Sequence, residues 1–318
     1  MTGFGKMSDS SKKEFPITDS RIRLSPYTWK LFGSGKSLRA EAMMPGAYCR
    51  MVVENSSFID VLIDGEANRD CPSEAMPVVD FSIDGAAFQT VQLKNKSDLE
   101  PLPLGQNLDI KKQHQVEFYF RSSALCPDRW GSTATHLRLA GIQLDEEATL
   151  LPCPCRPKLA IGLGDSITEG VCSEGACAYY SNLLMNNARV TWFPLVSNAL
   201  NCEYGQLGSG GLGIIKPMSL PPLMESWDHF DAQTSRLTNG LLLPEPDYLF
   251  CCIGTNDFQD EGGKRTQMDI TTAYTQWLTS ARKACPKTQI FCITPPIGWL
   301  KSPPQSMSTT KKATPEFT

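Results

Sequence analysis

The sequence predicts an antiparallel β-sandwich of jelly-roll type followed by a parallel, doubly wound α/β domain, and three observations carry the prediction. Residues 22–151 hold many short runs of alternating apolar and polar residues, separated by Gly, Asp, Asn and Pro turns and almost free of helical periodicity. A Pro-rich connector, Leu151-Pro-Cys-Pro-Cys-Arg-Pro157, follows, and prolines cannot donate to a ladder of hydrogen bonds. Beyond it, short continuous apolar runs alternate with stretches of helical spacing, the pattern of strands buried on both faces by crossover helices. A chain of 318 residues exceeds the usual single-domain size, so two domains are expected. The division places a flexible leader at 1–20, the sandwich at 21–151, the α/β domain at 157–300 and a disordered tail at 301–318.

In chain order, residues 1–20 are polar and rich in Ser and Lys, the composition of a leader without a core. Arg39–Val53 mixes apolar and polar positions, Phe58–Ile63 is apolar, and Val78–Leu93 folds back about an Asp84-Gly85 turn. Gln115–Phe120 alternates through Val116, Phe118 and Phe120, and His136–Leu144 supplies a further strand. After the connector, Leu159–Leu163 reads as the first parallel strand, Cys202–Leu207 as the second, Asp247–Ile253 as the third and Gln289–Thr294 as the fourth. Tyr179–Asn187, Trp192–Asn201 and Thr271–Ala284 carry apolar residues at helical spacing. Pro295–Leu300 reads as a strand-to-helix loop, and Lys301–Thr318 has no apolar periodicity.

Charge and composition exclude several roles. The net charge is −4 and no block of basic residues occurs, which argues against a nucleic-acid footprint or a polybasic membrane anchor. No apolar run approaches the ~20 residues that span a bilayer, so no membrane partner is expected. The first twenty residues lack an apolar segment of signal-peptide type, so the chain as written is expected in the cytoplasm. The sequons Asn55-Ser-Ser57 and Asn95-Lys-Ser97 keep a secreted protein with an incomplete start open. Of the twelve cysteines, Cys251, Cys252 and Cys292 fall in strands, where a free thiol acts as a small hydrophobe. Cys172 and Cys177 are spaced for a bridge in an oxidising compartment. No pair of Cys-x2-Cys units with His partners is present, so neither a metal nor another cofactor is expected.

The first parallel strand runs into Gly164-Asp165-Ser166-Ile167-Thr168-Glu169-Gly170. In open α/β sheets ligands gather at the carboxyl ends of strands, so a hydroxyl on that turn faces a crevice, and Ser166 is the candidate nucleophile. The same residues also fit a Ser-x-x-Glu capping box. Gly208-Ser-Gly-Gly-Leu-Gly213 follows the second strand and matches the spacing of a dinucleotide fingerprint. That motif must open a helix, however, and Ile214-Ile-Lys-Pro217 with Pro221-Pro222 is poor helix material. Gly254-Thr-Asn-Asp257 closes the third strand.

These three blocks, in this order, resemble those of the SGNH (GDSL-type) hydrolases over residues 157–300, and the sandwich is similar in arrangement to the one that precedes the catalytic domain in carbohydrate esterase family 2 acetyl esterases. The resemblance implies a flavodoxin-like hydrolase domain and hydrolysis of small acyl esters, acetyl foremost, through an acyl-Ser166 intermediate without metal. It implies oxyanion donors from the Ser166 N–H, the Gly211 N–H with Gly213 as second choice, and the Asn256 side-chain amide. An Asn amide donates while staying neutral, and an absent Cβ lets backbone approach substrate. Asp165 is read as a hydrogen-bonding brace and Asp257 as holding the Asn256 loop. The substrate class is a small acyl ester, with acetylated carbohydrate carried by the resemblance alone. The family's Asp-x-x-His near the C-terminus is not found. His114 and His136 read as surface or structural, and His229, in Ser226-Trp-Asp-His-Phe230, as an aromatic packed near the pocket. The expectation is therefore a domain truncated at its C-terminus and a chain inactive or weakly active for want of the base. The alternative is a catalytically dead protein that binds an acylated glycan or a protein partner through the sandwich and vestigial pocket.

Overall fold

Twelve short strands precede the connector in the computed structural model, which describes residues 12–94, 98–124, 128–175, 182–258 and 265–293. They are β1 (Lys12–Pro16), β2 (Arg23–Leu24), β3 (Lys30–Phe32), β4 (Arg39–Ala42), β5 (Tyr48–Glu54), β6 (Phe58–Asp64), β7 (Val78–Ile83), β8 (Gln89–Gln92), β9 (Leu99–Gln106), β10 (His114–Ser122), β11 (Leu137–Asp145) and β12 (Thr149–Leu151). One six-stranded antiparallel sheet has the order β3-β4-β11-β6-β9 with β1 on β11; the other has β12-β5-β10-β7-β8 with β2 on β5. Period-two alternation makes the core between them. Val116, Phe118 and Phe120 of β10 point inward against Ile59 and Val61 of β6 and Leu137 and Leu139 of β11.

Several boundaries differ from the sequence reading. Residues 12–20 are not leader: Phe15 and Ile17 are buried, and Lys12–Pro16 pairs with β11. Residues 1–11 lie outside the described residues, as do the 301–318 tail, Pro295–Leu300, Cys177 and the Asn95 sequon. Arg39–Val53 splits into two strands because the chain turns at Gly46, whose φ of +98 suits glycine. β9 was not foreseen, since Pro101 and Pro103 argue against a central strand; it lies at the sheet edge, where a missing N–H costs nothing.

After the connector, β13 (Lys158–Gly164), β14 (Cys202–Gly208), β17 (Tyr248–Cys252) and β18 (Gln289–Cys292) form a parallel sheet ordered β14-β13-β17-β18, with the hairpin strands β15 (Leu237–Thr238) and β16 (Leu241–Leu242) apart from it. Its helices are α1 (Ser166–Glu169), α2 (Trp192–Ala199), α3 (Leu223–Ser226) and α4 (Gln267–Ala284). α4 starts a turn before the expected Thr271 because Thr266 and Asp269 form a reciprocal capping box. It buries Ile270, Ala273, Tyr274, Trp277 and Ala281 against Ile161 and Leu163 of β13. The helix expected over Tyr179–Asn187 is not formed in its described part. Asn182 and Asn187 each turn a side-chain oxygen onto the N–H two residues on, and the chain makes one 3-10 turn over Leu183–Met185.

The reverse face of the β10 sheet is buried too, against the α/β domain. Tyr48 and Tyr119, cross-strand partners, pack with Tyr204 of β14 and Phe193 of α2. Glu203, 2% exposed, accepts the Tyr48 hydroxyl at 2.6 Å, pairs with Arg50 and accepts the Arg156 N–H. On the other side of the parallel sheet, Tyr27, Met43 and Met44 join the α/β core itself.

Candidate active site

Parallel register aligns the carboxyl ends of three neighbouring strands: Gly164 of β13 pairs with Gly208 of β14 and with Cys252 of β17. The three motif loops therefore leave the sheet side by side, at the edge where ligands bind in such sheets. Gly208 is required for this closeness, because a Cβ there would meet the Glu169 backbone nitrogen at 2.4 Å.

Ser166 opens α1 as its first residue. The N-cap is Asp165, whose side chain accepts the Ile167 N–H, so the capping-box reading of Ser166 is overturned. Ser166 is half-buried, and among the described residues neither its hydroxyl nor its backbone N–H has a protein partner. Freed from capping, its side chain is available for chemistry.

The Gly-rich loop resolves which glycine can donate. The Gly213 N–H is committed to the Lys216 carbonyl at 2.9 Å, and the Gly210 N–H to the Glu169 carboxylate at 2.6 Å. The Gly211 N–H has no acceptor among the described residues, and its φ of +73 is the left-handed conformation that glycine adopts without strain. Gly213, the second choice, has a structural role instead: a Cβ there would lie 2.4 Å from Asp257 Oδ1. The half-exposed Met218 side chain lies about where a Cβ on Gly211 would point, 3.0 Å from it.

Asn256 is buried. Its Nδ2 donates to the Leu212 carbonyl at 2.8 Å and makes a long, 3.4 Å contact with Asp165 Oδ2, so one of its two N–H bonds is only weakly held. Asp257 accepts the Ile214, Ile215 and Lys216 N–H groups at 2.7–3.1 Å. It thus holds the Gly-rich loop rather than its own. Burial pushes the Asp257 carboxyl above its usual range against the pull of those three donors. Asp165, 1% exposed, is pushed up to about 6 by burial, with Asp257 and Glu169 adding to the rise.

None of the three histidines is hydrogen-bonded to these groups. His114 is buried at the start of β10, bonded to Asp84 and to the Asp109 carbonyl, and His136 is buried against the Arg129 carbonyl; neither is a surface residue. His229 bonds to Asp228 and packs on Trp130 of the sandwich at 5.8 Å. Among the described residues no group of His, Cys, Asp and Glu could hold a metal ion, and no helix is long and apolar enough to cross a membrane. The sequence reading took Glu169 only as a capping partner and gave Arg129 no role; the two form a buried ion pair beside the Gly-rich loop.

A strand-end Gly-Asp-Ser turn, a glycine loop with a free N–H and a Gly-x-Asn-Asp loop meet on one sheet, the arrangement in which the chain resembles the SGNH (GDSL-type) hydrolases. Comparison with known proteins narrows it. No family model matches the chain. A curated acetylxylan esterase/glucomannan deacetylase from Cellvibrio japonicus (strain Ueda107) is 27% identical over 223 residues, 64% of this chain and 49% of that protein. The chain thus spans about half the length of this curated relative. A solved family two carbohydrate esterase from Cellvibrio japonicus matches with a TM-score of 0.72 and 19% identity, covering 89% of this chain and 78% of that one. An acetyl xylan esterase from the rumen bacterium Butyrivibrio proteoclasticus matches at 0.69 and 19%, covering 90% and 81%. These neighbours point to carbohydrate esterase family 2, whose members are SGNH hydrolases, and the chain has their arrangement of a β-rich domain and an α/β domain.

Proposed function

We propose that the chain is a serine esterase that removes small acyl groups, acetyl foremost, from carbohydrate. The observation that carries this is the pair of unpartnered N–H groups, of Ser166 and Gly211, beside an unpartnered Ser166 hydroxyl at the ends of adjacent strands. Attack by the hydroxyl on an ester carbonyl places negative charge on its oxygen, and these two donors with the Asn256 amide would receive it. The active unit would be a jelly-roll-type sandwich that takes in β1 and runs to residue 151, and a flavodoxin-like domain from residue 157. The proton of Ser166 needs an acceptor, and all three histidines of the chain are bonded elsewhere. Acetylated carbohydrate is favoured as substrate because the relatives bear the names acetylxylan esterase and glucomannan deacetylase.

The test is acetate release from acetylated xylan and from p-nitrophenyl acetate by the intact chain and its Ser166→Ala variant. Turnover that vanishes with the hydroxyl supports the reading. Equal rates for the two proteins would sink it.

A further inference from the structure

We propose that Arg129, a residue of the β-sandwich, is a positioning residue for the acyl-transfer site, acting through the Glu169 carboxylate on the Gly210–Gly211 backbone. The proposal rests on the reading of Ser166 and Gly211 given above. Arg129 is 1% exposed. Its guanidinium is anchored on its own domain by the Ser123 carbonyl, the Ser123 hydroxyl and the Ala124 carbonyl at 2.9–3.2 Å. Nη2 also donates to Glu169 Oε1 at 2.6 Å, and Glu169 Oε2 accepts the Gly210 N–H at 2.6 Å. His136 supports the backbone of Arg129 through its carbonyl at 3.2 Å.

One carboxylate thereby spans the two loops whose separation the chemistry must fix. Glu169 stands three residues after Ser166 on the single turn of α1, and Gly210 immediately precedes Gly211. Oxyanion donors work only when held within a fraction of an ångström of the developing charge. A carboxylate buried to 3% exposure is a suitable clamp only if a cation is buried with it. The α/β domain supplies the carboxylate, and the sandwich supplies the cation. Arginine suits the place because Nη2 meets Glu169 and Ser123 while Nε holds the Ala124 carbonyl, so the planar group is fixed at two nitrogens, where a lysine would offer a point charge.

The test combines a mutant cycle with amide exchange in the intact chain. In Arg129→Met the Gly210 amide should exchange at least ~10-fold faster and kcat should fall by ~30-fold or more with KM nearly unchanged. In Arg129→Met/Glu169→Gln no charge is left unpaired and the Gln oxygen still accepts from Gly210. Most of both losses should be regained, and Arg129→Lys should regain part. If Arg129→Met does not fold, the neutral double variant is compared with Glu169→Gln alone, which leaves the arginine unpaired; the double variant should be the faster. The proposal is overturned if Gly210 protection and kcat are unchanged in Arg129→Met, or if the double variant does no better than its single parents. Where the wild type shows no Ser166-dependent turnover, the esterase reading fails by itself, and Gly210 exchange alone decides whether Arg129 fixes the loop.

Discussion

Asp257 Oδ2 accepts the Ile214 N–H at 2.7 Å, so the loop after the third parallel strand holds the loop after the second. Two more N–H groups converge on the same buried carboxylate, and Gly213 has no side chain because that carboxylate occupies its space. Asp257→Ala would leave three donors without an acceptor, that of Ile214 buried and those of Ile215 and Lys216 half-buried. At ~1–3 kcal/mol for each group left dry, less whatever water enters, a loss of ~3 kcal/mol is expected. Urea unfolding measures it, and Asp257→Asn, which keeps an acceptor, should lose less.

Asn256→Ala removes one of the three proposed oxyanion donors. A fall in kcat of ~100–1000-fold with little change in KM is expected, because the contact is made in the transition state. A drop confined to KM would place Asn256 in substrate binding instead.

Asp165 ties stability to pH. Its carboxyl titrates at about 6 in the fold against 3.8 for the free group, so the folded chain binds the proton more tightly than the unfolded one. Above pH ~6 both forms are ionised and the fold bears the full cost, ~3 kcal/mol at 1.36 kcal/mol per unit. As pH falls from 6 towards 4 the folded form protonates first and the cost disappears. Asn is as good an N-cap as Asp. Asp165→Asn should therefore be more stable than wild type at pH 8, and the two should converge by about pH 4. Denaturant midpoints across that range decide it; a constant difference would mean that the carboxylate carries no burial cost.

Glu203 joins the two halves of the chain through Tyr48, Arg50 and the Arg156 N–H. Breaking a buried pair on one side typically costs ~3–5 kcal/mol, so Glu203→Ala should be among the most destabilising changes outside the core. Adding Tyr48→Phe should cost little more, because its hydroxyl has already lost its acceptor.

The strand alternation of β10, the Gly-Asp-Ser turn and the change from antiparallel to parallel strands across the Pro-rich connector were legible because local rules decide them. Val116, Phe118 and Phe120 face one way whatever surrounds them. Tyr119 was not legible as an interface residue, since only the packed α/β domain makes its face a buried one. The edge strand β9 was hidden by its prolines, and β1 by the polar residues around Phe15. At the site, spacing brought together Ser166, the Gly-rich loop and Asn256, and the resemblance alone placed Gly211 ahead of Gly213. The structure adds a physical reason for that order, which N–H already has a partner, a property of loop closure. Arg129 left no trace in the sequence, because its partner stands forty residues away and in another domain.

Tyr27, Met43 and Met44 belong by topology to the sandwich, yet they lie within the apolar cluster of the α/β domain. Neither half can be peeled away without opening a wound in the other's interior. Calorimetry should therefore meet one melting transition where the chain has two architectures, and a fragment cut at the connector should be sticky and short-lived in solution. In thermodynamic terms the connector joins two parts of a single object.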